Sequence, residues 1–298
     1  MIVPRDAGTT ERVTGDHGTC VLALGVRAPH LLPAFASVPH VNPESREDVF
    51  DQVAAMSASG STVLVVHPTW AAEPTRHWLE VARSAMGTTA MMTYETSLPP
   101  AAAGVLSTLA GSLAAHTESP GALLALLPVL EQQLQVIALL PDVHKLEHPG
   151  PTLWQHACSL MGTHTFAVVF SGRRGRVLTV RRSGLDLDLP EPAESSGVHV
   201  ASGGGDPMWM YGLLDSRYPN ARLHLEADVD DPHGYWGGSR WIEAVAYPTE
   251  VRALLRLARQ ARPLVACRWC GAKGPPVERI CQFCGVALTP PSLLGVVV

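Results

Sequence analysis

Two matched cysteine pairs near the carboxyl end restrict the fold of this chain more than any other sequence feature. The motif Cys-x-x-Cys-Gly occurs at residues 267–271 and again, ten residues after the first pair, at residues 281–285. Two tight turns of this kind present four thiolates, the soft donors that a tetrahedral Zn²⁺ ion binds at about 2.3 Å. The glycine after each pair permits the backbone angles that such a turn needs. The predicted metal ligands are Cys267, Cys270, Cys281 and Cys284.

This double motif resembles the zinc ribbon family, and the resemblance covers residues 264–290 only. It implies one structural zinc ion, because no further histidine or carboxylate stands at ligand spacing to create an open coordination position. A site of this kind stabilises a segment that is too short to build a hydrophobic core of its own.

Three other uses of these cysteines are two disulfides, a redox dithiol and rubredoxin-like iron. Disulfides fit poorly, because the amino terminus is polar and lacks an apolar targeting segment. A redox motif needs one pair at the start of a helix rather than two matched pairs. Iron remains open, although rubredoxins normally separate their two pairs more widely than this chain does.

The chain of 298 residues is long enough to bury a substantial core in one or two domains besides the ribbon. Its longest apolar run, residues 121–140, is interrupted by Pro128 and by the polar residues 131–133, so we expect no membrane span. Cys20 and Cys158 are isolated in the sequence and are predicted to be small core residues. The expected location is the cytoplasm.

Charge is distributed unevenly along the chain, whose net charge is −5. Residues 250–285 contain seven basic and two acidic side chains, a net charge of +5, which leaves −10 for the first 249 residues. A basic segment of this kind is typical of a surface for nucleic acid or an acidic partner, but it can equally dock on its own acidic body. The candidate contact residues are Arg252, Arg256, Arg259, Arg262, Arg268, Lys273 and Arg279.

The first hundred residues alternate between short apolar runs and helical patterns. Residues 20–26, 61–66 and 90–94 have the composition of buried strands, and the segments between them have the periodicity and end signals of helices. Strands separated by helices at this spacing favour parallel pairing with helical crossovers. We therefore predict an α/β fold with a largely parallel, Rossmann-like sheet.

The remainder of the chain is predicted to contain three helical segments, a hairpin and a second strand–helix–strand unit. Residues 99–115 and 120–140 have helical patterns, the second interrupted at Pro128, and residues 152–161 form a short helix. Residues 165–170 and 176–182 flank a turn that is typical of a β-hairpin. Later elements are strands at 198–201, 223–229 and 241–247, with helices at 207–216 and 250–261.

Composition shifts divide the chain into five predicted segments. The acidic, proline-containing stretch 183–196 is the expected internal boundary. The segments are an α/β body at 1–182, a second small α/β unit at 197–247 within the same domain or beside it, a basic connecting helix at 248–263, the ribbon at 264–290 and an apolar tail at 291–298.

Candidate ligand-binding residues follow from the rule that ligands collect beyond the carboxyl ends of strands in an open α/β sheet. His67 and Thr69 follow one predicted strand, and Glu95 follows the next. The glycine-rich turn after residue 201 lies between a strand and a helix, where backbone amides can bind an anion. The candidate ligand-binding residues of this turn are Gly203, Gly204 and Gly205.

Three functions are compatible with these patterns. The sequence favours a non-enzymatic adaptor or assembly component whose ribbon contacts a partner protein. A second hypothesis places the basic helix and the ribbon on nucleic acid. A third is a ligand- or nucleotide-binding α/β enzyme with an accessory ribbon. No Gly-x-Ser-x-Gly elbow and no paired carboxylates with a neighbouring histidine identify catalytic residues, so the sequence leans away from an enzyme.

Overall fold

The computed structural model describes most of the chain between residues 18 and 286. The described residues are 18–31, 35, 37–42, 45–58, 60–70, 73–86, 91–117, 119–162, 164–172, 174–180, 196–204, 208, 214, 218, 220–231, 234–250, 254, 256, 265–268, 270, 272–274, 281, 283–284 and 286.

The first sheet is parallel throughout, as predicted. Among the described residues it has four strands in the order β2-β1-β3-β4. The strands β1, β3 and β4 are mostly apolar and are buried on both faces, which is typical of parallel sheets covered by helices. The elements are β1 (Thr19–Leu24), β2 (His40–Val41), α1 (Arg46–Ser57), β3 (Thr62–Pro68), α2 (Glu73–Met86) and β4 (Met91–Thr96).

Two apolar helices follow this sheet. The helix α3 (Pro100–Ala114) is buried almost along its whole length, and α4 (Pro120–Gln133) packs beside it. Ser119 caps α4, because its hydroxyl accepts a hydrogen bond from the Ala122 amide at 3.2 Å. The α4 helix continues through Pro128.

The second sheet is mostly antiparallel. In the described part of the chain it has six strands in the order β7-β6-β5-β10-β8-β9, and only β8 and β9 pair in parallel. The predicted hairpin is present as β6 and β7. The elements are β5 (Gln135–Leu140), α5 (Leu153–Leu160), β6 (Thr165–Ser171), β7 (Arg174–Val180), β8 (Ser196–Gly203), β9 (Arg222–Glu226) and β10 (Trp241–Pro248).

The strand β5 corrects the sequence prediction for residues 120–140. The predicted helix ends at Gln133, and Leu134 is already extended, with φ −80° and ψ 130°. The following residues Val136 and Ile137 are β-branched, and β5 has hydrogen-bonded neighbours on both sides, β6 and β10. Tertiary pairing therefore decides the conformation of an apolar run whose length alone suggested a continued helix.

The two sheets enclose a shared core. The helix α3 contacts β1 and β3 of the first sheet and β8 and β10 of the second. The main buried cluster lies in this layer, a second cluster lies between the first sheet and α1 and α2, and a third covers the opposite face of the second sheet. The predicted α/β fold class is thus confirmed. Strands from both sides of the predicted boundary at 183–196 share the second sheet.

The ribbon segment contains a short antiparallel pair, β11 (Val265–Ala266) and β12 (Lys273–Gly274). Leu254 and Arg256 are helical, but most of the predicted helix at 250–261 lies outside the described residues, as do the boundary at 183–195, most of 207–216 and the tail at 291–298. No helix in the described part of the chain is long and apolar enough to cross a membrane.

Gly104 tests how tightly α3 is held between the sheets. A Cβ atom at this position would lie 2.1 Å from the Arg27 carbonyl oxygen, which belongs to the loop after β1. We expect Gly104→Ala to lower the free energy of unfolding by about 1–3 kcal/mol through overpacking, despite the better helix propensity of alanine. Chemical denaturation measures this change.

The matched control is Gly150→Ala, because the nearest atom to its added Cβ would be the Glu147 carbonyl oxygen at 3.7 Å. Equal stabilities of the two variants would contradict the close approach of α3 to the first sheet.

Candidate ligand site and metal site

The four ribbon cysteines converge on one point. The Sγ atoms of Cys267 and Cys284 are 3.7 Å apart, those of Cys270 and Cys281 are 3.8 Å apart, and all four lie within 4.8 Å of one another. Thiolates at about 2.3 Å from a tetrahedral zinc ion are separated by about 3.8 Å, so the geometry fits a metal. These sulfur–sulfur distances are well beyond the roughly 2.05 Å of a disulfide bond, which argues against the two-disulfide alternative.

Each cysteine pair belongs to a turn that is closed in the same way. The Cys267 amide donates to the Ala272 carbonyl at 2.9 Å, and the Cys281 amide donates to the Val286 carbonyl at 2.8 Å. In both turns the first cysteine therefore bonds to the residue five positions later. This repeated hydrogen bond orients the two thiols of each pair toward the other pair.

The ribbon packs against the body of the protein. Cys267, Cys281 and Phe283 are buried and belong to the same cluster as α3 and α4. The strand β12 contacts α4 directly. The aromatic side chain of the second turn is therefore used for packing within the chain.

The carboxyl ends of β3 and β4 bring three predicted ligand residues together. His67 and Glu95 are paired across the two strands, and the Thr69 amide donates to the Thr96 carbonyl at 2.8 Å. His67 is buried, which lowers its pKa to about 4, so its imidazole is neutral at pH 7. The Glu95 carboxylate is paired with the Arg76 guanidinium.

A fully buried carboxylate, Glu243 on β10, lies beneath the amino end of α3. It accepts hydrogen bonds from the Ala102 amide at 2.9 Å and the Ala101 amide at 3.2 Å. The indole of Trp236 donates to it at 3.3 Å. The residue before α3 is Pro99, which provides no side-chain cap, so Glu243 caps the helix from a distant strand. Burial raises the pKa of Glu243 to about 7.

Three aromatic rings connect this carboxylate to the end of the first sheet. The ring centroids of Trp70 and Tyr235 are 5.0 Å apart, and those of Tyr235 and Trp236 are 4.8 Å apart. The Trp70 indole donates to the Leu98 carbonyl at 2.9 Å. The loop before β10 and the start of α3 therefore meet at Trp70.

Unpaired polar atoms accompany these rings. The hydroxyls of Ser97 and Tyr235 and one carboxylate oxygen of Asp231 are buried without a hydrogen-bond partner among the described residues. The other oxygen of Asp231 accepts from the Trp236 amide at 2.9 Å. Buried polar atoms normally have a hydrogen-bond partner, so each of these three atoms can bind a polar group from outside the described residues. Burial raises the pKa of Asp231 to about 6.

The predicted glycine turn packs around the start of β10. Gly203 belongs to β8, and a Cβ there would lie 2.4 Å from the Trp241 indole nitrogen. Gly204 has a φ of +54°, and its added Cβ would lie 2.4 Å from the Ser239 carbonyl oxygen. Both positions therefore require glycine for packing or backbone conformation. Gly205 lies outside the described residues.

A second charged cluster joins the two sheets. Arg27, in the loop after β1, forms an ion pair with Glu226 at the end of β9, at 2.7 Å. The other oxygen of Glu226 lies 3.8 Å from Nε2 of the buried His199. Burial lowers the pKa of His199 to about 4, so this histidine is neutral at pH 7.

Neither a protein-family model nor a curated protein matches this sequence. Solved structures do match its fold. A DegV family protein from Corynebacterium glutamicum has a TM-score of 0.58 at 13% identity, covering 78% of this chain and 98% of its own. The chain has a DegV-like fold.

Two further neighbours with the DegV-like fold are described by what they bind. A DegV family protein from Thermus thermophilus, titled as fatty acid binding, has a TM-score of 0.54 at 14% identity and covers 78% of this chain and 99% of its own. A DegV family protein from Eubacterium eligens, loaded with heptadecanoic acid, has a TM-score of 0.52 at 8% identity and covers 78% of this chain and 100% of its own.

The predicted adaptor function is wrong, and so are the two predicted partners, protein and nucleic acid. Two solved structures that share the DegV-like fold are titled with fatty acids, and neither is titled with a protein or nucleic acid partner. Among the described ribbon residues, Cys267, Cys281 and Phe283 are also packed in the main core. Of the seven basic residues, Arg256, Arg268 and Lys273 are exposed, and Arg252, Arg259, Arg262 and Arg279 lie outside the described residues.

Sequence analysis missed Ser97, Asp231, Tyr235, Trp236 and Glu243. One signal was available, because Glu243 is the only charged residue in the apolar run 241–247. A lone carboxylate in a buried strand requires specific donors. No sequence pattern around the other four residues indicates a site, because they become neighbours only when the two sheets pack.

Glu243→Gln tests the buried cap. In glutamine one of the two Glu243 oxygens becomes an amide nitrogen, which would face either the Ala102 amide or the Ala101 amide and the Trp236 indole, all of them donors, so we expect lower stability than in the parent protein. The folded state binds the Glu243 proton more tightly than the unfolded chain, whose pKa is near 4.5. Stability from this group therefore falls as pH rises from about 4.5 to about 7, by on the order of 3 kcal/mol, and then stays constant.

His67 and His199 have lowered pKa values and contribute the opposite slope between about pH 4 and 6.5. The difference in unfolding free energy between the parent and Glu243→Gln isolates Glu243, because both proteins retain the histidines. Urea denaturation at several pH values gives this difference, and Glu226→Gln serves as a control at a partly exposed site. A difference that is independent of pH would contradict the raised pKa.

Proposed function

We propose that this protein binds a fatty acid, with the carboxyl group held by Ser97 and Tyr235 at the end of the first sheet. The observation that carries the proposal is the DegV-like fold, whose solved examples include proteins titled as fatty acid binding and one loaded with heptadecanoic acid. Of the three functions considered from sequence, a ligand-binding α/β protein agrees best with this observation.

The head-group position rests on two unpaired hydroxyls beside one ring. Ser97 precedes Leu98, whose carbonyl accepts from the Trp70 indole, and the Tyr235 ring lies against the same indole at a tilt of 55°. Both hydroxyls are buried, so each loses a hydrogen bond to water unless a ligand replaces it. A carboxyl group offers the acceptor oxygens that two hydroxyl donors require.

The Tyr235 hydroxyl is suited to donate. Its pKa is raised above the ordinary value, first by burial and then by the nearby carboxylates of Glu243 and Asp231. It therefore remains protonated throughout the physiological pH range. Leu98 and the α3 residues Ala101 and Val105 are apolar and buried, which is the environment that an acyl chain requires.

The predicted residues His67, Thr69 and Glu95 border this position. They lie at the ends of β3 and β4, and Ser97 directly follows β4. We propose that neutral His67 and the Glu95–Arg76 pair line the entrance rather than bind the head group, because Arg76 already pairs with Glu95.

We also propose that the four cysteines hold one structural zinc ion. Two edges of the sulfur tetrahedron, at 3.7 and 3.8 Å, match the length expected for zinc, all four sulfurs lie within 4.8 Å of one another, and all four ligands are thiols. Bound zinc would fix the two turns against α4 and so stabilise the core that they share.

Hydroxyl deletions test fatty acid binding with heptadecanoic acid as the probe. The parent protein should bind the acid more tightly than its methyl ester, which has no carboxylate. Tyr235→Phe and Ser97→Ala should each weaken binding of the acid by roughly tenfold or more, because each removes a hydrogen bond to a charged group. Isothermal titration or fluorescence displacement measures these affinities.

Two matched controls are available. Tyr247 and Ser202 also have buried hydroxyls without a partner among the described residues, but they are not part of the proposed head-group position. Tyr247→Phe and Ser202→Ala should therefore leave the affinity unchanged. No binding of the acid by the parent protein would refute the function. Binding that is unchanged in both deletion variants would refute only the head-group position.

Zinc content and stability are measured together. We expect about one zinc per chain by elemental analysis. Cys281→Ser should lose the metal and lower the melting temperature by roughly 5–10 °C, because the ribbon shares the main core. Cys20→Ser, at a distant free thiol, should do neither. Iron in place of zinc, or a metal-free protein of equal stability, would contradict the proposal.

A further inference from the structure

A buried pair of hydrogen bonds joins α4 to the residues on either side of Ser97. Glu131 of α4 and Thr96, the last residue of β4, are both buried. The Thr96 hydroxyl donates to the Glu131 carboxylate at 2.5 Å, a distance that is typical of a hydroxyl bound to a carboxylate. The same hydroxyl oxygen accepts from the Leu98 amide at 3.2 Å. The two hydrogen bonds therefore connect the residue before Ser97 with the residue after it.

The carboxylate decides the direction of both hydrogen bonds. A carboxylate only accepts and a hydroxyl has a single proton, so the Thr96 hydroxyl must donate to Glu131. The lone pairs of its oxygen are then left to accept from the Leu98 amide. Without an acceptor at position 131, the Thr96 hydroxyl would lose the group that orients it.

The backbone of the 96–98 segment is held at both ends by the first sheet. Its first carbonyl accepts from the Thr69 amide at 2.8 Å, and its last accepts from the Trp70 indole at 2.9 Å. Glu131 adds an attachment from α4 on the opposite side of the layer. Because the flanking residues are held in place, the direction in which the Ser97 side chain leaves the backbone is fixed as well.

Packing by itself does not account for a carboxylate at position 131. A buried carboxylate costs free energy unless donors compensate for the lost water, and an apolar residue of similar length avoids this cost. No other residue of α4 is charged, and the residues of this helix that are buried with Glu131 are apolar. The one buried charge of α4 is thus the group that bonds to the 96–98 segment.

We propose that Glu131 is a positioning residue for the fatty acid head group and acts through Thr96 on Ser97. The inference rests on the proposed function, in which the Ser97 hydroxyl donates to the carboxyl group of the acid. A donor that is already held in place loses less conformational freedom when the ligand binds, so its hydrogen bond adds more to the affinity. Glu131 has this effect without contacting the ligand.

A double-mutant cycle with Ser97 tests the inference, with heptadecanoic acid as the probe. Glu131→Met keeps the length of the side chain but removes the acceptor, and it should weaken binding of the acid by about tenfold. In the Ser97→Ala background the same change should have little effect, because the hydroxyl that Glu131 positions is absent. Isothermal titration gives the four affinities, and urea denaturation verifies that each variant is folded.

Variants of Thr96 separate the hydrogen bonds from packing. Thr96→Val should weaken binding by about tenfold, like Glu131→Met, and it gives the same cycle with Ser97→Ala if Glu131→Met does not fold. Thr96→Ser retains the hydroxyl and Glu131→Gln retains an acceptor oxygen, so both should bind the acid almost as tightly as the parent.

Thr93→Val is the matched control for Thr96→Val. Thr93 is also buried on β4, but its hydroxyl accepts from the Arg83 guanidinium of α2 at 3.5 Å and makes no bond to the 96–98 segment. The affinity for heptadecanoic acid should be unchanged in this variant.

Two results would overturn the inference alone. One is an equal loss of affinity on Glu131→Met with and without the Ser97 hydroxyl, which would give Glu131 a purely structural role. The other is unchanged affinity in both Glu131→Met and Thr96→Val. A parent protein that does not bind the acid would instead refute the proposed function, and unchanged binding in Ser97→Ala would refute the head-group position. Either of these results would refute the positioning role of Glu131 as well.

Discussion

The contact between Glu243 and the amino end of α3 is the interaction on which the arrangement of the two sheets depends. The first turn of α3 has free amides and a proline instead of a side-chain cap, and the carboxylate of β10 satisfies two of them. The partner residues are about 140 positions apart in sequence. Because the helix contacts both sheets, this buried carboxylate links the second sheet by hydrogen bonds to the helix that packs on the first.

That contact also creates the proposed ligand site. Holding β10 under α3 brings the loop that carries Asp231, Tyr235 and Trp236 against Trp70 at the end of the first sheet. The site therefore combines elements from two sheets, and none of them forms it alone. The same arrangement leaves Ser97 and Tyr235 with unpaired hydroxyls, a cost that a bound carboxyl group would remove.

The ribbon and α5 both form from local sequence signals. At the ribbon, thiols close together in sequence converge within 4.8 Å, and each turn closes through its own backbone hydrogen bond. Local sequence also determines the helix α5, because the capping box formed by Thr152 and Gln155 fixes where the predicted helix begins. Which face of α5 points to solvent, however, depends on contacts with Val143 and Val177 from other elements.

The sequence by itself determined the features that depend on short-range chemistry: the cysteine quartet, the alternation of strands and helices up to residue 96, and the hairpin β6–β7. The tertiary structure alone decided that residues 135–140 form a strand, because that apolar run can be helix or strand until β6 and β10 bond to it. It also decided the ligand site, since Ser97, Tyr235 and Glu243 carry no shared pattern in the chain. Residues far apart in sequence become neighbours only through packing, and the burial that gives them their chemistry exists only in the fold.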